Sequence, residues 1–151
     1  MRHIFLDSAP LSALSLPPAA GAPLTAIAQW ARSCLAAGNQ IYVPEVIDYE
    51  LRRELLRSGK TASVEELDRL HSVFHYLPIT TRAMQHAAQL WATARNRGIA
   101  TGDPKKLDVD VILAAQALTL SVPASDIVVA TPNVAHISHF VRAADWSSIT
   151  P

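Results

Sequence analysis

The sequence predicts an α/β fold: a central, mostly parallel sheet covered by helices on both faces. Three observations lead to it. Short β-prone apolar runs occur at Ile4, Phe5 and Leu6, at Ile41, Tyr42 and Val43, and at Ile127, Val128 and Val129. Segments of helical periodicity separate them, and prolines or glycines sit at several of the joins. Strands joined through helices pair in parallel, and such sheets bury both faces.

Each element has its own local cause. The stretch from Ser8 to Pro23, with Pro10, Pro17, Pro18, Gly21 and Pro23, reads as a loop. Leu24, Ile27, Ala28, Ala31 and Leu35 then recur at helical spacing, and Gly38 supplies a stop. After the second strand, Pro44 suits the first turn of a helix reaching to about Ser58. Ser63 and Glu66 have capping-box spacing ahead of Leu67, Leu70 and Phe74. A short strand is expected around 77–79, followed by a long helix with Met84, Ala87, Ala88 and Trp91 as its buried stripe and Gly98 at its close. Residues 108–120 are apolar nearly all round, hence a buried helix, with Asp108 as its N-cap. Residues 146–149 are expected to form a last edge strand.

With 151 residues, half of them hydrophobic and 17% charged, the chain suits one globular domain over 1–151. Its formal net charge is zero, so a nucleic-acid partner would have to be held by a local basic patch. Cys34 is the single cysteine, which excludes an internal disulfide and a cysteine-rich zinc site. No apolar run approaches the length needed to span a bilayer, and the start lacks a signal-peptide core, so a cytoplasmic protein without a membrane partner is expected.

The residues with chemical potential are carboxylates. Asp7 directly follows the first strand, and in open α/β sheets ligands bind beyond the carboxyl ends of strands; the competing role is a turn cap. Glu50 projects among Val46, Ile47 and Leu51 on its helix, where an unpaired carboxylate is costly. Glu54, one turn on, is its competitor, and pairing with Arg53 or Arg57 is the structural alternative for either. Asp110 falls in the first turn of the apolar helix, on the side of Ala114 and Ala117, where the helix N-terminus alone could favour it. Separated carboxylates suit a hard divalent ion such as Mg²⁺ or Mn²⁺. His136 and His139 have a spacing that metal sites use, but without softer ligands beside them zinc is not expected. A nucleophile elbow, a Walker loop and a Gly-x-Gly-x-x-Gly turn are all missing.

In order along the chain, IFLDS, PEVIDYELRREL, LDVDVILAAQAL and VVATPNVAHISHF resemble the PIN-domain ribonucleases, in particular the VapC-like toxins of type II toxin–antitoxin modules. The resemblance covers nearly the whole chain. It implies a three-layer α/β/α sandwich, Mg²⁺ or Mn²⁺ dependence, endonucleolytic RNA cleavage, a homodimer and a cognate antitoxin. By motif, it makes Asp7, Glu50 and Asp110 the catalytic metal ligands, with Asp108 as a further candidate and Thr131 orienting a ligand or water. Many relatives carry a fourth acid just after that threonine, where this chain has Pro132 and Asn133; Asn133 is the candidate to hold a water in its place.

The function expected is therefore an endoribonuclease that attacks a phosphodiester in line and leaves a 5′-phosphate. Arg52, Arg53, Lys60, Lys105 and Lys106 are candidate phosphate contacts. The alternative is a PIN-like module that binds RNA or protein without turnover. The homodimer is expected to use exposed apolar positions on the helices carrying Trp30 or Trp91.

Overall fold

Strand β1 (His3–Leu6) opens the chain and is buried at all four positions, as a central strand covered on both faces must be. The computed structural model describes residues 1–99 and 103–151. Helix α1 (Ser8–Leu14) follows immediately, where a loop was expected. Asp7 caps it, its side chain accepting from the Ser8 N–H, and Pro10 is tolerated in the first turn because no intrahelical N–H is required there. Only the stretch after Leu14, with its paired prolines, remains irregular.

Helix α2 (Ala26–Ala36) runs to strand β2 (Gln40–Pro44), with Gly38 at φ 85° reversing the chain between them. Pro44 ends the strand and precedes helix α3 (Glu45–Arg57) rather than lying inside it. Helix α4 (Thr61–Val73) begins two residues before Ser63, which is buried within its first turn; the expected capping box does not form. Strand β3 (His75–Leu77) lies two residues earlier than expected. On helix α5 (Thr81–Asn96) the buried stripe is Ala83, Ala87 and Ala94, whereas Met84, Ala88 and Trp91 are exposed. Small residues win that face because α5 packs closely along helix α6 (Pro104–Leu118).

Helix α6 starts four residues earlier than expected, with Asp103 as its N-cap and Pro104 at its first position. Asp108 is thus not a cap, and Asp110 lies in the second turn. Strand β4 (Ile127–Ala130), the short helix α7 (Val134–Ile137) and strand β5 (Ala143–Ala144) complete the domain. Residues 146–148 form a 3₁₀ turn capped by Asp145 instead of an edge strand. Trp146 packs against Trp30 at a ring separation of 5.7 Å.

The five strands are all parallel, in the order β3-β2-β1-β4-β5. Both alternating sets of side chains on β1 and β4 are buried, so helices cover both faces in a three-layer α/β/α sandwich. The order places β2 and β4 on opposite sides of β1. Successive connections therefore diverge there and leave a crevice beyond the carboxyl ends of β1 and β4.

Candidate metal and nuclease site

The register of the central strands builds the site. Leu6 pairs with Ala130, so the next residues, Asp7 and Thr131, emerge side by side at the crevice. The Asp7 N–H extends the ladder to the Ala130 carbonyl at 3.1 Å, and the Thr131 N–H does the same to Ala144 at 2.9 Å. Thr131 is almost wholly buried; its Oγ1 donates to Asp7 Oδ2 at 2.6 Å and accepts from the Asn133 N–H at 3.0 Å. One Asp7 oxygen is held by the threonine and the other by the first N–H of α1, which fixes the carboxylate at a strand end.

Two helices bring the other acids to it. Val46, Ile47, Leu51 and Leu55 anchor α3 in the core and leave Glu50 half-buried on the flank of that face. Glu54 instead pairs with Arg57 at the surface, which resolves the competition between the two glutamates. Asp110 is buried on α6 among Leu107, Val111 and Ala114. Its carboxyl is pushed up to about 7, first by burial and then by the negative charges of Asp7 and Glu50, with Lys106 acting in the opposite direction. Asp7 and Glu50 therefore lie close enough for their charges to act on Asp110.

Residues 5–131 match the PIN domain. The chain belongs to the PIN-domain family. No curated protein matches it in sequence. Its fold is similar to VapBC2 from Rickettsia felis bound to a fragment of promoter DNA, with TM-score 0.70 and 15% identity over 95% of this chain and 98% of that one. It is also similar to VapBC-1 from nontypeable Haemophilus influenzae (TM-score 0.64, 14% identity, 98% and 100% covered). A third relative in fold is DNA-bound VapBC from Salmonella typhimurium (TM-score 0.57, 17% identity, 97% and 99% covered).

The donor set of this PIN domain fits a hard cation: three carboxylates, of which Asp110 presents a buried Oδ2 with no hydrogen-bond partner among the described residues. As they stand, no three His, Cys, Asp or Glu side chains among the described residues are gathered closely enough to hold a metal ion. Asp108 is exposed and lines a groove between α3 and α6 with Tyr49, Arg53 and Lys105, a groove that contains none of the three acids. Asn133 is exposed and contributes its backbone, not its side chain, to the Thr131 network.

The basic candidates separate by what they touch. Arg52 is committed to the fold: its guanidinium binds buried Asp48 at 2.8 Å and Asp68 at 2.7 Å, and Asp48 raises its pKa further. Arg53 lies over the Tyr49 ring at 5.1 Å, beside Lys105 in the groove. Lys60 is exposed between α3 and α4, and Lys106 is the exposed cation whose field reaches Asp110. Trp30 is buried and donates to the Ile149 carbonyl at 2.8 Å, so it offers no surface, whereas Trp91 is 41% exposed.

One residue went unread in the sequence, and another was read there only for its spacing. Asp48, placed two residues before Glu50, is buried between Arg52 and His71, whose Nε2 lies 2.6 Å from it. An Asp–Arg pair at i, i+4 was the available signal. His136 meets Asp110 with Nε2 2.9 Å from Oδ2. Helix α7 has only four residues, too short for any periodicity to show which way His136 points.

Proposed function

We propose that this PIN domain is a metal-dependent endoribonuclease, the toxin of a type II toxin–antitoxin pair. The observation that carries the reading is the convergence of Asp7 and Glu50 on Asp110 at the crevice between β1 and β4, in a chain of a family of nucleases. Asp7, Glu50 and Asp110 would hold a divalent ion, Mg²⁺ or Mn²⁺, with Thr131 fixing the orientation of Asp7. When bound, such an ion polarises a phosphate and lowers the pKa of the attacking water. Lys106 draws the phosphate backbone toward the acids, with Arg53 and Lys105 as further contacts along the adjacent groove.

The fold similarity to VapBC components supports a cognate antitoxin as protein partner. The exposed apolar side chains Met84 and Trp91 on α5 support a homodimer. No described helix is long and apolar enough to cross a membrane, in keeping with action on cytoplasmic RNA.

The test is cleavage of total RNA by the purified protein with Mg²⁺ or Mn²⁺. Activity that EDTA removes and that Asp110→Asn lacks supports the reading. Binding of RNA or of a partner protein without divalent-dependent cleavage would favour a non-catalytic module.

A further inference from the structure

At the edge of the three-acid cluster, one pair of buried polar atoms has no conventional partner. His136 Nε2 and Asp110 Oδ2 are 2.9 Å apart, both shielded from solvent, and neither has a hydrogen bond among the described residues. The separation is that of a bond, but the alignment is not. Buried polar atoms left in this state cost free energy, and natural folds keep few of them.

The fold holds His136 where it is. Thr131 accepts from the Asn133 N–H at the start of α7, and fully buried Ile137 ties the end of that turn to the core. The imidazole stands edge-on to Phe140, with ring centroids 5.8 Å apart. The side chain is 16% exposed. It therefore enters the crevice from the β4 side while Asp110 enters from α6.

We propose that His136 Nε2 is a nitrogen ligand of the cation bound at Asp110, making the site selective for a first-row transition ion of the Mn²⁺ class over Mg²⁺. The inference rests on the metal-dependent reading above. Two adjacent donors of an octahedral ion with bonds of about 2.1 Å lie about 3 Å apart, which is the spacing of this pair. A cation would satisfy both lone pairs at once without the alignment that a hydrogen bond requires. Imidazole suits transition ions, whereas Mg²⁺ keeps to oxygen and water, so a nitrogen in the shell sets the preference. An ordinary acid–imidazole ion pair is the competing role, and it predicts no contact between histidine nitrogen and metal.

Pulsed electron paramagnetic resonance of Mn²⁺ added to the full-length protein separates the two. The bound ion should show coupling to a nitrogen nucleus that changes when histidine is labelled with ¹⁵N, a measurement needing no substitution. The coupling should persist in His139→Ala and vanish in His136→Ala and His136→Gln. In competition titrations, His136→Asp should lower the preference for Mn²⁺ over Mg²⁺ by about tenfold or more. Mn²⁺ that binds, is lost with Asp110→Asn, and shows no histidine coupling would overturn this inference and leave the metal-dependent reading standing. No Mn²⁺ binding at all would overturn that reading as well.

Discussion

Thr131 Oγ1 donates a 2.6 Å hydrogen bond to Asp7 Oδ2 across the junction of β1 and β4. The threonine has no surface of its own to present, and its hydroxyl holds one oxygen of the acid. Thr131→Val keeps the shape and removes the donor. It should weaken metal affinity and cleavage by about 10–100-fold, as loss of a group orienting a ligand typically does. Thr131→Ser should restore most of both. Cleavage rates and calorimetric titration with Mn²⁺ check this, and equal activity in Val and Ser variants would contradict it.

The three acids should behave as one unit. Asp7→Asn, Glu50→Gln and Asp110→Asn should each reduce cleavage by about 10²-fold or more, and double substitutions should be hardly worse than single ones. Asp108→Asn should leave metal affinity unchanged, because Asp108 is exposed and is not among the charges acting on Asp110. Circular dichroism would confirm folding, and a fully active variant would remove its residue from the site.

The pH dependence of stability carries a definite sign. In the folded, metal-free protein the Asp110 pKa lies near 7, above its ordinary 3.8. The folded state then holds a proton that the unfolded state has released, so stability falls as pH rises from about 4 to about 7. Three pKa units correspond to roughly 4 kcal/mol as an upper figure. His136 acts oppositely, since burial and then His139 lower its pKa. The comparison is therefore made against Asp110→Asn, which keeps the histidine. With EDTA present, wild type should lose stability relative to that variant between pH 4 and 7. Parallel denaturation curves across that range would refute the assignment.

Asp48 should matter for folding. Arg52 and His71 both depend on it, at 2.8 and 2.6 Å, while its own side chain is only 7% exposed. Asp48→Ala leaves two cationic or polar partners facing the vacated site. A fully buried broken pair costs about 3–5 kcal/mol, and partial exposure of Arg52 and His71 lowers the expectation to about 2–3 kcal/mol. Urea denaturation reads it directly. A change below about 0.5 kcal/mol would show the network to be surface decoration.

The dimer prediction concerns α5. Trp91 is 41% and Met84 44% exposed on one helix. If this face pairs two copies, Trp91→Asp should convert a dimer to a monomer in sedimentation at micromolar concentration without changing the melting profile of the monomer. A wild-type monomer under the same conditions would end the proposal.

By itself, the sequence determined the α/β class, the parallel sheet and the approximate place of most elements. Alternation between β-prone runs and helical spacing depends only on neighbours in the chain, and the short motifs around Asp7, Glu50, Asp110 and Thr131 are equally local. The tertiary structure decided what lies between elements. That Asp7 stands level with Thr131 follows from a register joining residues more than a hundred positions apart. Helix α1 forms behind its Asp7 cap, although Pro10 and the prolines that follow the helix made the stretch read as a loop. The α5 stripe moved from Met84 and Trp91 to alanines because close packing on α6 favours small side chains, something no single helix reveals. His136 reaches Asp110 because a turn of four residues is pinned by Thr131 and Ile137, and only three-dimensional packing sets that direction.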